Sequence, residues 1–193
     1  MLNEIALKQP SELVMAAINL AKENEFIYSC LDEVGQLLAV LTSSIKQGTI
    51  AEIGTGYGVG TAWIATNLPN EVSLITIDND LKKINAVRAI FNQENVKFIH
   101  SDWKEILAYA PFEFIFADGG KAKEQHPDLL VKALADGGMI LIDDLTPIEY
   151  WPEEWKNQKD EVREYWLHHP DLQAVELRVT QKNSVIVVTK VKK

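Results

Sequence analysis

Cysteine is almost missing from this sequence. Cys30 stands alone among 193 residues, which excludes an internal disulfide framework and fits a reducing compartment. Long apolar runs are missing too. No stretch approaches the roughly 18 consecutive apolar residues of a membrane-spanning helix. The N-terminal region also lacks the basic start and apolar block of a secretory signal. Positive charge is scarce: 19 Lys and Arg against 28 Asp and Glu leave a formal charge of −9. That field opposes nucleic acid as a partner, and the nearest thing to a basic cluster, the tail "TKVKK", reads as a solvated end. Repeats, low-complexity tracts and Pro/Gly/Ser linkers are absent. One domain over residues 1–193 is therefore expected, with helices in 1–47 packed on its core and a cytoplasmic location.

What is there is patterned. Ser11 has the character of an N-cap for a first helix, with Val14, Ala17, Ile18 and Ala21 on one face. Leu31, Val34, Leu38, Leu41 and Ile45 recur at three- and four-residue steps, which predicts a second. Short runs rich in β-branched and aromatic residues then appear at 49–53, 72–77, 96–100, 112–117 and 138–142. Helical spacing lies between them, as in Ile84, Val87 and Phe91, or Leu129, Leu130, Ala133 and Leu134. Such alternation specifies parallel strands joined by crossover helices on both faces. "LQAVELRVT" and "NSVIVVTKV" are joined only by a short polar turn and must pair antiparallel. The expected fold is α/β: a doubly wound, seven-stranded, mostly parallel sheet with a C-terminal hairpin.

The stretch "EIGTGYGVG" follows the first of these strands. In a doubly wound sheet, ligands bind beyond the carboxyl ends of the central strands, where the strand order reverses. Glycine permits positive φ there and admits a ligand against bare backbone. A helix starting near Thr61 would point its free N–H groups at the same place. A dinucleotide fingerprint needs a small residue three positions after its second glycine; Val59, Thr61 and Trp63 occupy those positions, so no register fits. What remains is an acid, Glu52, ahead of Gly54, Gly56 and Gly58. A carboxylate there suits an ammonium-bearing ligand and would repel a pyrophosphate.

This stretch resembles the first motif of the class I S-adenosylmethionine-dependent methyltransferases, whose sheet also ends in such a hairpin. The likeness covers about residues 29–193. It implies a Rossmann-like methyltransferase fold and S-adenosylmethionine as cofactor, with its methionine portion at the loop of Glu52, Gly54, Thr55, Gly56, Tyr57 and Gly58. Asp78, beside Asn79 in "TIDND", would bond the ribose hydroxyls. By the same resemblance Asp102 would meet the adenine amino group, with Trp103 packing on the base and Asp118 near the cofactor. Capping of the helix "WKEILAYA" is a second role compatible with Asp102.

Two further acidic sites end strands: Asp118 in "FIFADGGK", and Asp143 with Asp144 in "MILIDDL". Adjacent strands lie about 4.8 Å apart, so these carboxylates can converge. Three of them repel one another unless a cation intervenes or one takes up a proton. Oxygen ligands favour Mg²⁺, with Ca²⁺ or Mn²⁺ as alternatives. The set resembles the metal-dependent catechol and caffeoyl-CoA type O-methyltransferases, which implies that the acids hold the ion and that Lys121 removes a proton from the acceptor. Asp144 departs from the asparagine of that family, and helix capping is the competing role for Asp143 and Asp144. Exposure in a first helical turn is the competing role for Lys121. The expected activity is O-methylation of a small catechol-like or phenolic acceptor, with a homodimer implied by related enzymes. A tRNA or nucleobase methyltransferase, a non-catalytic S-adenosylmethionine-binding protein and an NAD-dependent enzyme are the alternatives. Tyr150, Trp151, Trp155, Tyr165 and Trp166, in 145–170, suit either a planar acceptor or ordinary core.

Overall fold

The computed structural model describes residues 9–191. The expectations for 1–8, and the last two lysines of the tail, lie outside them. Helix α1 (Glu12–Glu23) begins as the sequence predicts: the Ser11 hydroxyl accepts from the Val14 N–H at 3.3 Å, and Val14, Ala17 and Ala21 are buried. Helix α2 (Asp32–Ser43) buries Val34, Gly35 and Leu38. From there the chain alternates: β1 (Gly48–Ile53), α3 (Val59–Ala65), β2 (Val72–Asp78), α4 (Leu81–Arg88) and β3 (Val96–His100). After β3 the "WKEILAYA" segment forms a 3-10 helix, Trp103–Tyr109. Next come β4 (Phe112–Ala117), α5 (Gly120–Gln125), α6 (Pro127–Ala133), β5 (Leu134–Leu145), α7 (Glu161–His168), β6 (Leu172–Arg178) and β7 (Ser184–Lys190).

The strand order is β3-β2-β1-β4-β5-β7-β6. β1 pairs in parallel with β2 on one side and β4 on the other, so the order reverses beside β1. β7 is antiparallel to both β5 and β6, as expected of the hairpin. β1, β2 and β4 are buried on both faces, which explains their continuous apolar reading. One core layer gathers Ile53, Ile77, Phe112, Ile142 and Trp166; the opposite layer gathers Leu38, Ile50, Leu74, Phe114 and Phe116. α1 packs on α3 through Val14, Ala17, Ala62 and Trp63.

Several boundaries differ from the sequence reading: Phe91 lies beyond the end of α4 and Leu134 opens β5 instead of closing a helix. α3 begins at Val59, before Thr61, because Gly58 at φ 83° makes the turn into it. β5 is longer than 138–142 because it pairs with both β4 and β7. Its register against β7 shifts between Ile142 and Leu145, and Asp144 there has φ 60°. Such an irregularity bends a strand and re-aims its side chains. It takes Asp143 and Asp144 off the ladder at the edge where Asp118 leaves β4.

Candidate functional site

The glycine loop is held in shape before any ligand is considered. Gly54, Gly56 and Gly58 have φ of 100°, 52° and 83°, values that L side chains rarely adopt. The Gly54 and Thr55 N–H groups donate to the Ile77 carbonyl at 2.9 and 3.2 Å. A Cβ on Gly54 would stand 2.9 Å from the Gly119 nitrogen, so this glycine lets the loop after β1 touch the loop after β4. Asp78 ties the loop to β2: its Oδ2 accepts from the Gly56 N–H at 2.9 Å and its Oδ1 from the Asp80 N–H at 2.9 Å.

Glu52 lies beneath the loop, 1% exposed, and lines neither of the cavities described below. Its Oε2 accepts from the Thr61 hydroxyl of α3 and, at 2.6 Å, from the Thr76 hydroxyl of β2. Thr55 joins the same network through Thr76 at 2.6 Å. Its Oε1 is buried with no hydrogen-bond partner among the described residues. Burial raises the Glu52 pKa to about 7, against the two hydroxyl donors that favour the anion.

Over the carboxyl ends of β1 and β2 opens a cavity of about 490 Å³. Gly54, Asp78, Asn79, Asp102 and Trp103, five of the sequence-derived cofactor residues, all line it. Lys121 is on its wall as well and is exposed, in the first turn of α5. Asp102 also caps the 3-10 helix, accepting from the Lys104 N–H at 3.0 Å, so both of its expected roles are compatible with its position. Sequence reasoning missed His126, whose ring lies 6.1 Å from that of Trp103 on the same wall. A smaller crevice lies between the loop and segment 26–30, with Thr55, Gly56, Tyr57 and Asp118 in its wall. The buried ring of Tyr57 packs edge-on against Phe26 there.

Beside it, one carboxylate oxygen from each of Asp118, Asp143 and Asp144 falls within 4.8 Å of the others. Two oxygens on one ion lie no further apart than twice a metal–oxygen bond, about 4 Å for Mg²⁺ and about 5 Å for Ca²⁺. The donor set is three hard oxygens, and their 4.8 Å spread is within the Ca²⁺ limit and beyond the Mg²⁺ one, so Mg²⁺ would require them to draw closer. Neither Asp143 nor Asp144 caps the short helical turn that follows: its cap is Pro147, and no side chain bonds it. Asp143 Oδ1 instead accepts from the Asp144 N–H at 2.8 Å. Burial and then the neighbouring acids push the Asp118 pKa up, and burial above all raises Asp143 to about 6. Burial, with the field of these acids, also holds the Cys30 thiol protonated.

The lysine beside the carboxylates is Lys123, not Lys121. Its Nζ donates to the Asp143 carbonyl at 2.6 Å and lies 3.7 Å from Asp144 Oδ2. Residues two apart on a helix point about 200° apart, so only one of the two can face β5. The aromatic segment divides likewise. Trp166 and Tyr165 belong to the core layer under the sheet, whereas Trp151 and Trp155 wall a separate groove on the outer side of α5.

Comparisons with known proteins bear on the fold that carries this geometry. A family profile described as a methyltransferase domain matches residues 51–145, the span from within β1 to the end of β5 that carries Glu52, the glycine loop, Asp78, Asp102 and the three aspartates. A Mycobacterium tuberculosis protein named "Probable O-methyltransferase Rv1220c" is 28% identical over 56% of this chain. The chain spans about half, 53%, of that relative's length. A Bacillus cereus O-methyltransferase solved with S-adenosylhomocysteine superposes with a TM-score of 0.77 at 20% identity, over 98% of this chain and 94% of its own. The Streptomyces achromogenes O-methyltransferase TomG, solved with S-adenosylmethionine, gives 0.79 at 17% identity, over 97% and 93%. Residues 51–145 thus match a methyltransferase-domain profile, and the chain carries the fold of these two solved O-methyltransferases.

Proposed function

We propose that this chain transfers a methyl group from S-adenosylmethionine to a hydroxyl of a small catechol-like or phenolic acceptor, with a divalent ion held at Asp118, Asp143 and Asp144. One observation carries the reading: a cavity at the glycine loop and a three-carboxylate cluster meet at a single point, the Asp118–Gly119 step after β4. A nucleoside site and a cation site sharing two adjacent residues suit a reaction between two bound partners.

Asp78 would take the ribose hydroxyls, for which its oxygens keep lone pairs beyond those given to Gly56 and Asp80. Asp102 and Trp103 would hold the adenine. Glu52 lines neither cavity, so its part would be to brace the loop through Thr61 and Thr76 from beneath, not to meet the amino group directly. When bound, the cofactor supplies an electrophilic methyl group and the ion supplies Lewis acidity toward the acceptor oxygens. The protein's part is orientation, since in-line transfer needs acceptor and donor at near-attack distance. Lys121, exposed on the cavity wall, is the residue to which we assign the acceptor's proton.

The test is a purified chain, S-adenosylhomocysteine calorimetry, and a transfer assay across catechols and simple phenols in magnesium buffer. Saturable binding and transfer to ortho-dihydroxy aromatics are expected, abolished by EDTA and restored by Mg²⁺. Absence of S-adenosylhomocysteine binding would remove the cofactor assignment. Transfer insensitive to EDTA would remove the metal, and transfer unchanged in Lys121→Ala would remove the proposed base.

A further inference from the structure

Lys123 is outside both cavities, yet it is 4% exposed and faces acids. Its backbone carbonyl accepts from the Trp166 indole N–H at 3.1 Å, and Trp166 is fully buried in α7. The residue is thereby anchored from behind, with its amine delivered to the end of β5. The Nζ reaches the rim of the carboxylate cluster, not its middle: it bonds the Asp143 carbonyl and pairs with Asp144, while the Asp143 carboxylate is left to the Asp144 N–H. An amine that took an ion's place would lie among all three carboxylates.

We infer that Lys123 is a built-in countercharge that offsets Asp144, so that the carboxylate centre presents two net negative charges and is matched to a divalent ion. The inference rests on reading Asp118, Asp143 and Asp144 as a metal centre. Three carboxylates alone carry three negative charges, and the lysine returns one. A buried ammonium requires such a partner, and the number of ligand charges tunes cation affinity. Lys123 is also a positioning residue. Asp144 occupies left-handed backbone at φ 60°, and the peptide between Asp143 and Asp144 is the one whose carbonyl Lys123 holds.

The test compares wild type with Asp144→Asn, Lys123→Gln and the double variant, each titrated with Mn²⁺ by calorimetry. S-adenosylhomocysteine binding and the thermal transition serve as folding controls. Asp144→Asn leaves the lysine uncompensated and should weaken Mn²⁺ by about tenfold or more. The double variant restores the charge count and should return to within about threefold of wild type. Lys123→Gln alone should raise the preference for Tb³⁺ over Mn²⁺. A purely structural lysine predicts the opposite for the pair, a double variant as weak as the weaker single, and that result overturns the inference. Wild-type Mn²⁺ affinity in Asp144→Asn overturns it as well; this side chain is exposed, so that arm stands even if the Lys123 variants fold poorly. Wild type that binds S-adenosylhomocysteine but no Mn²⁺ removes the metal centre and the inference together, whereas Mn²⁺ binding without recovery in the double variant removes the inference alone.

Discussion

At the residue scale, Glu52 makes the sharpest claim. Its folded pKa of about 7 exceeds the ordinary 4.5, because burial outweighs two hydroxyl donors. Between those values the folded state binds more protons than the unfolded chain, so stability falls as pH rises from 4.5 to 7 and levels off above. Taken at face value the shift amounts to about 3 kcal/mol. Glu176 acts in the opposite sense, but its lowered pKa places its loss of stability on the acid side of that window. The ligand-free protein should therefore melt at a higher temperature at pH 5.5 than at pH 8. Asp143, raised to about 6, and Asp118, also raised, act in the same sense, so Glu52→Gln should reduce that slope without removing it, and a variant with the wild-type slope would show that the aspartates govern it. Asp78→Ala is the complementary test of the cavity. It removes the acceptor for two loop N–H groups as well as the proposed ribose contact. S-adenosylhomocysteine affinity should fall by about tenfold or more while Mn²⁺ affinity measured without the nucleoside, at carboxylates Asp78 does not belong to, changes little.

At the scale of elements, α2 and α3 meet at a glycine. A Cβ on Gly35 would stand 2.2 Å from the ring of Trp63, which α3 buries against α1 and α2. Gly35→Ala must displace that ring, an overpacking cost of about 1–3 kcal/mol. For a chain of this length each kcal/mol lowers the melting temperature by about 2–4 °C, so a drop of roughly 2–12 °C is expected by calorimetry. An unchanged transition would mean that the ring relaxes freely. The same scale shows what the sequence could convey. Parallel strands were legible because both faces of β1, β2 and β4 are largely buried and most of their positions are apolar. The reach of β5 to Leu145 was not legible, since two unpaired acids, Asp143 and Asp144, interrupt it and only Leu145 rejoins the ladder, opposite Ser184 of β7. The glycine motif was readable, but its reasons were mixed. Gly54 is required by the approach of Gly119, and Gly60 by Glu52 Oε1, which a Cβ would meet at 2.6 Å. Lys123 was invisible because spacing along α5 offers two lysines and only the packing of Trp166 decides which one turns inward.

For the whole molecule, the two proposed sites are not independent. The N–H groups of Asp118 and Gly119 both donate to the carbonyl of Ile53, at 3.1 and 2.6 Å, and Ile53 directly precedes Gly54. A carboxylate of the ion site and two backbone walls of the cofactor cavity are thus clamped to one oxygen. Ordering this junction for one ligand reduces what the other must order, which gives positive coupling without a large structural change. Couplings of this kind amount to about 1–3 kcal/mol, or roughly 5–150-fold in affinity, and must be reciprocal. S-adenosylhomocysteine should therefore bind at least about fivefold tighter in Mg²⁺ than in EDTA, and Mg²⁺ should gain by the same factor when the nucleoside is present. Thermal shifts give a second reading. Ligand at a hundred times its Kd stabilises by about 2.7 kcal/mol, here roughly 5–11 °C. With both ligands present at fixed concentrations, the combined shift should exceed the sum of the separate shifts. Equal affinities with and without Mg²⁺ would show that the Asp118–Gly119 junction is already rigid and transmits nothing.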